Sequence, residues 1–196
     1  MSDQYGLRMN VYASLLAALM AVGAYLAIPI GPVPIVLQNM FVFLAPLLLG
    51  RRWGLASVAV YLLAGACGLP VFAGGMGGIG RFVGPTGGFL LGYLPAVFLI
   101  GLAVSGRRPL FWRDIFAMVL GSAVLYACGL SWLKLALGFT WSKTLAVGMF
   151  PFLAGDAFKI VAAAAIAKSL RPVMTIKRAP SATDADSASP AARRVT

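Results

Sequence analysis

Asp156 and Lys159 stand three residues apart inside an apolar run, Phe150-Pro151-Phe152-Leu153-Ala154-Gly155-Asp156-Ala157-Phe158-Lys159. That spacing puts both side chains on one face of a helix. A charge at the centre of a bilayer costs about 2.5–3.5 kcal/mol even on insertion scales, so each needs a partner or an aqueous cavity. Two roles follow: a mutual salt bridge that ties a bundle together, or a polar patch lining a ligand site. Intramembrane ionisable groups mark function more often than architecture, and the second role is the one expected. Gln38 and Asn39 add neighbouring amides, each with donors and an acceptor, as interhelical glue or as pocket groups. Arg81 is the one basic residue of the glycine-rich stretch 73–88. Its planar fork suits a carboxylate, though an anchor at the membrane interface uses the same side chain.

Gly75, Gly77 and Gly80 spell G-x-G-x-x-G. The dinucleotide fingerprint also needs a strand before it, a helix after it and an acid about 20 residues on. Here apolar segments flank it and no acid lies between Asp3 and Asp114, so that reading is rejected. What remains is a flexible connection, or a lid whose glycines let backbone approach a ligand. No phosphate-binding G-x-x-x-x-G-K-[ST] occurs, and histidine is absent. Cys67 and Cys128 lie in apolar stretches without metal-ligand spacing and read as small core residues. Nucleotide hydrolysis by that route, zinc chemistry and a catalytic triad are therefore excluded. The expectation is a protein that is not an enzyme and that uses no cofactor or metal.

The elements that must hold these groups are membrane spans. Hydrophobic residues make up 61% of the 196, with a mean hydropathy of +0.92. Ordinary soluble domains hold roughly 45–50% apolar residues. Apolar segments at 11–30, 36–49, 55–68, 89–104, 115–137 and 144–168 predict a compact all-α bundle of six transmembrane helices. The first begins behind Arg8 without a cleavage pattern and reads as a retained helix. The second is short for a crossing, yet the charges require one. With the N-terminus cytoplasmic, Arg8, Arg51, Arg52, Arg107, Arg108, Arg113, Lys168, Arg171, Lys177, Arg178, Arg193 and Arg194 fall inside. Only Arg81, Lys134 and Lys143 fall outside. Twelve against three is a strong positive-inside bias and puts both termini in the cytoplasm. Topology thus accounts for the net charge of +11, and no nucleic-acid partner is expected. Residues 1–170 form the membrane domain, in contact with lipid. The Ala-, Ser- and Pro-rich tail 171–196 is expected to be disordered. Ala13, Ala17 and Ala21 recur every fourth residue, a small-residue stripe for close packing inside the bundle or for docking another membrane protein.

Four runs resemble the BioY family, the biotin-binding S components of energy-coupling-factor vitamin transporters. They are Pro32-Val33-Pro34-Ile35-Val36-Leu37-Gln38-Asn39, Gly68-Leu69-Pro70-Val71-Phe72-Ala73-Gly74-Gly75, Gly84-Pro85-Thr86-Gly87-Gly88-Phe89 and Asp156-Ala157-Phe158-Lys159. The resemblance spans roughly residues 10–170. It implies a six-helix subunit of the bacterial cytoplasmic membrane that captures biotin at the outer face. A transmembrane coupling protein and ABC-type ATPases would be its partners, with Ala13, Ala17 and Ala21 as the docking face. It further implies that the glycine-rich loop closes over the ligand and that Asp156 and Lys159 line the pocket, with Arg81, Gln38, Asn39 and Thr86 as further contacts. The ligand chemistry agrees: a carboxylate accepts from ureido N–H groups, and Lys or Arg bonds a carbonyl or carboxylate. A small channel or secondary transporter with Asp156 as its ion or proton site is the alternative.

Overall fold

The computed structural model describes residues 2–28, 32–104 and 110–175. In order they form α1 (Ser2–Tyr25), β1 (Ala27–Ile28), β2 (Ile35–Val36), α2 (Gln38–Ala66), α3 (Gly80–Val83), α4 (Gly87–Val104), α5 (Phe111–Leu137), α6 (Trp141–Gly148) and α7 (Phe150–Thr175). Five of these helices, α1, α2, α4, α5 and α7, are long and apolar enough to cross a membrane. Their outward faces carry Val11, Leu15 and Val22 on α1, Phe98 and Leu102 on α4, Phe116 on α5, and Phe158 and Val161 on α7. Large apolar side chains turned outward on several helices are stable only against lipid. The chain is a multi-pass membrane protein.

α2 takes in both segments expected at 36–49 and 55–68, and it folds back on itself. Gly50 stands at φ 75°, ψ −176°, a conformation open almost only to glycine. Beyond it, a Cβ on Gly54 would lie 2.8 Å from Pro46 Cα, so the backbones touch. At the far end the side chain of Gln38 lies against the Tyr61 hydroxyl. A straight helix would hold those two residues, 23 apart, about 34 Å from each other. Residues 38–49 and 51–66 are therefore antiparallel arms.

Other boundaries moved for local reasons. α1 ends at Tyr25, earlier than the expected 30, because Ala27 and Ile28 pair antiparallel with Val36 and Ile35. The single span expected at 144–168 is two helices, α6 and α7, with the chain breaking at Met149 (φ −131°, ψ −59°). Pro151 follows in the first turn of α7, where a missing N–H costs nothing. α7 then runs to Thr175, five residues past the boundary expected at 170. Arg171 holds that end: its guanidinium bonds the Asp114 carboxylate, and its Nε donates to the Leu47 carbonyl at 3.0 Å. Ile30, Arg107, Arg108 and the tail 176–196, on which further expectations fell, lie outside the described residues.

The helices meet through small residues, as lipid-embedded bundles do. Along the α4–α5 seam a Cβ on Gly88 would lie 2.2 Å from Trp132 Cβ, and one on Gly121 would lie 2.5 Å from Ile100 Cδ1. α1 packs on α2 in the same way. Ala13 and Ala17 are buried, Ala21 is half-buried, and Ser57 Oγ donates to the Ala13 carbonyl at 2.8 Å. Within the single chain this stripe packs inside the bundle. Cys67 and Cys128, expected in the core, are both exposed.

Candidate ligand-binding site

One cavity of about 640 Å³, counting the open space at its mouth, lies where these elements converge. The end of the β-hairpin, the start of α2, α3, the first turns of α4, the later part of α5, the end of α6 and the start of α7 all contribute. Its walls are apolar and aromatic, with Val33, Val36, Phe72, Phe89, Leu90, Leu125 and Phe152. Seven polar side chains reach into it: Gln38, Asn39, Arg81, Thr86, Tyr93, Tyr126 and Asp156.

The stretch 68–86 shapes one side of the cavity and is tied down rather than loose. Phe72 N donates to the Met76 carbonyl at 2.8 Å, Gly78 N to the Gly65 carbonyl at 2.7 Å, and Tyr61 Oη to the Val71 carbonyl at 3.0 Å. Phe72 is 1% exposed and meets Tyr61 and Phe82 edge to face. The glycines are there for clearance as well as for turns: a Cβ on Gly77 would lie 2.2 Å from the Leu69 carbonyl oxygen. No strand–loop–helix unit surrounds Gly75, Gly77 and Gly80, in line with rejecting the dinucleotide fingerprint. The short α3 presents Arg81 to the cavity, half-buried, with an Nε that has no hydrogen-bond partner among the described residues. Thr86 follows where Gly84-Pro85-Thr86-Gly87-Gly88 turns into α4. Trp132 Nε1 pins that turn by donating to the Gly84 carbonyl at 3.0 Å. A Cβ on Gly87 would sit 1.8 Å from the Phe82 carbonyl oxygen, which explains the glycine pair of that motif.

On α7, Asp156 lines the cavity and is 8% exposed. Its Oδ1 accepts from Lys159 Nζ at 2.9 Å and its Oδ2 from Tyr126 Oη at 2.5 Å. Lys159 is 6% exposed and sits beside Asp156 without lining the cavity itself. The salt bridge and the pocket lining, alternatives in the sequence, coexist: one member of the pair faces the cavity and the other backs it. Gln38 is 2% exposed, and its amide lies beside the Tyr61 hydroxyl at the edge of the cavity. Asn39 accepts at Oδ1 from Tyr93 Oη at 2.6 Å.

Of the six ligand candidates named from the sequence, Asp156, Arg81, Gln38, Asn39 and Thr86 line one cavity. Tyr93 and Tyr126 were missed. Their signal was a phenolic hydroxyl inside an apolar span, where it must find a partner. Chemically, the cavity offers amide and guanidinium donors, a carboxylate acceptor and apolar walls. That set suits a small molecule with polar ends and an apolar middle.

Comparison with known proteins points the same way. "Biotin transporter BioY" of Thermotoga maritima is 41% identical over 165 residues, covering 84% of this chain and 96% of its own. "Probable biotin transporter BioY" of Pyrococcus horikoshii is 40% identical over 158 residues, covering 81% and 93%. A crystal structure of the S-component for biotin from an ECF-type ABC transporter superposes with a TM-score of 0.79 at 31% identity. It covers 88% of this chain and 95% of that one. The model of the BioY family matches residues 1–176, the whole of the helical part. The chain belongs to the BioY family.

Proposed function

We propose that this chain is the biotin-capturing membrane subunit of an energy-coupling-factor transporter, a transport protein and not an enzyme. The observation that carries the reading is the cavity itself. Asp156 stands as an acceptor while the Gln38 amide and an Arg81 Nε that has no hydrogen-bond partner among the described residues stand as donors, all lining one aromatic-walled space. Biotin has two ureido N–H donors, a carbonyl, an apolar thioether ring and a carboxylate. Asp156 accepts from a ureido N–H, Arg81 suits the carboxylate, and Gln38, Asn39 and Thr86 complete the polar contacts. Lys159 contributes through Asp156, holding its charge in place.

The two arms of α2 count as two crossings, which makes six with α1, α4, α5 and α7 and puts both termini in the cytoplasm. The cavity then opens at the outer face of a bacterial cytoplasmic membrane, under the stretch 68–86. The chain meets lipid around its circumference and a transmembrane coupling protein with its ABC-type ATPases as partners. Docking through Ala13, Ala17 and Ala21 would require α1 to part from residues 51–66, because the two now pack together.

A ligand that binds the folded state stabilises it by about 2.7 kcal/mol at a hundred times its Kd. Biotin should therefore raise the unfolding temperature of the detergent-purified chain, whereas thiamine and riboflavin should not. Equal shifts with all three, or none with biotin, would sink the reading.

A further inference from the structure

Two tyrosine hydroxyls face the cavity without a part in the contacts assigned above. Tyr93 on α4 is 4% exposed and donates to Asn39 Oδ1. Tyr126 on α5 donates to Asp156 Oδ2. Both line the cavity, and each bonds a polar group that lines it too.

We infer that Tyr93 and Tyr126 are positioning residues that fix the hydrogen-bonding polarity of the cavity wall. An amide has one acceptor edge and one donor edge, and whichever edge is held leaves the other for a ligand. Tyr93 occupies the Asn39 oxygen, so the N–H pair is the edge that meets a ligand. Gln38 Nε2, from the adjacent residue, adds a second amide donor. A carboxylate has about four lone-pair sites on its two oxygens. Lys159 takes one on Oδ1 and Tyr126 one on Oδ2, which leaves an acceptor site on each oxygen. With both oxygens held, the carboxylate plane is fixed. The wall therefore reads as donors from the start of α2 and acceptors from α7. The matching ligand carries an N–H group at one place and a carbonyl or carboxylate oxygen at another, as a cyclic urea does. The inference rests on the biotin-capture reading and deepens it by naming what sets specificity.

The test is a pair of double-mutant cycles read by biotin titration of the purified full chain. Tyr93→Phe and Tyr126→Phe keep the rings, including the edge-to-face contact of residue 126 with Phe89. Each should weaken binding by about tenfold. Neither should weaken it further once its partner is changed, Tyr93→Phe on Asn39→Ala and Tyr126→Phe on Asp156→Asn. A tyrosine that only packs would lower affinity by the same factor in both backgrounds, and that additivity overturns the inference. Asn39→Asp keeps the acceptor for Tyr93 but replaces the N–H pair, so it should cost at least about tenfold. Wild-type affinity in Asn39→Asp would overturn the orientation assigned to the amide. Should Asp156→Asn fail to fold, the Tyr93–Asn39 cycle decides by itself. No biotin binding by the wild-type chain overturns both readings, whereas wild-type binding with additive tyrosine effects overturns this one alone.

Discussion

Replacing Lys159 by methionine isolates what the Asp156–Lys159 pair does. The two groups lie 2.9 Å apart and both are buried. Removing one partner of a buried ion pair typically costs about 3–5 kcal/mol, because the remaining charge is stranded. Tyr126 still donates to Oδ2, which places the expected loss of stability near the lower limit, about 3 kcal/mol. Binding should fall by at least about tenfold, or about 1.4 kcal/mol, since the carboxylate facing the cavity loses the contact that fixes its Oδ1. Asp156→Asn should weaken binding comparably. The double variant, Asp156→Asn with Lys159→Met, separates the two effects: with neither charge left to bury, stability should return most of the way. Binding should not return, because the acceptor is gone. Thermal unfolding in detergent and biotin titration on the same four samples make the comparison. Wild-type binding in a folded double variant would refute the assignment of Asp156 to the ligand. Stability as poor as in the worse single variant would refute the buried-pair argument.

Other perturbations follow from single contacts. Gly50→Ala forces a Cβ into a backbone conformation open almost only to glycine and should cost about 1–3 kcal/mol, read as a lower unfolding temperature. Gly88→Ala drives a methyl group into Trp132 and should loosen the α4–α5 seam by about 1–3 kcal/mol in the same assay. Arg171→Ala removes the ties to Asp114 and Leu47 and leaves a carboxylate that is 1% exposed with the more distant Arg113, at 3.9 Å, for an ion pair. It should destabilise the chain by about 3 kcal/mol while leaving biotin affinity near wild type, because neither Asp114 nor Leu47 lines the cavity. Cys67 lies at the end of the second arm of α2 and is exposed. With the two arms crossing separately, a membrane-impermeant maleimide added outside intact cells should label it. Labelling only after permeabilisation would contradict the six-crossing topology.

Residue types alone made the Asp156–Lys159 pair legible, because two charges at i,i+3 in an apolar run have few explanations. The same holds for Gly50-Arg51-Arg52, where a glycine and two positive charges end one arm and start the next. What periodicity could not show was direction. Ala13 and Ala17 look alike whether they face a partner chain or the neighbouring arm, and their burial within the chain rests on tertiary contacts such as that of Ser57 with the Ala13 carbonyl. Lys159 was expected at the ligand and stands behind Asp156, because one helical face can still turn its two members to different neighbours. Tyr93 and Tyr126 drew no notice in the sequence, since their partners are 54 and 30 residues away. The convergence of Arg81, Thr86, Gln38 and Asn39 on one cavity was expected alongside the family resemblance and not from their spacing. It depends on how the stretch 68–86 is pinned by Tyr61, Trp132 and Phe72, contacts that no local pattern encodes.

The most direct test is equilibrium titration of the detergent-purified full chain with radiolabelled biotin, in the absence of ATP and partner subunits. Saturable binding at one site per chain with submicromolar affinity, uncompeted by thiamine or riboflavin and weakened at least about tenfold in Asp156→Asn, is the expected result. A monodisperse, folded sample that binds no biotin would contradict the account and bring forward a channel or secondary transporter built around Asp156.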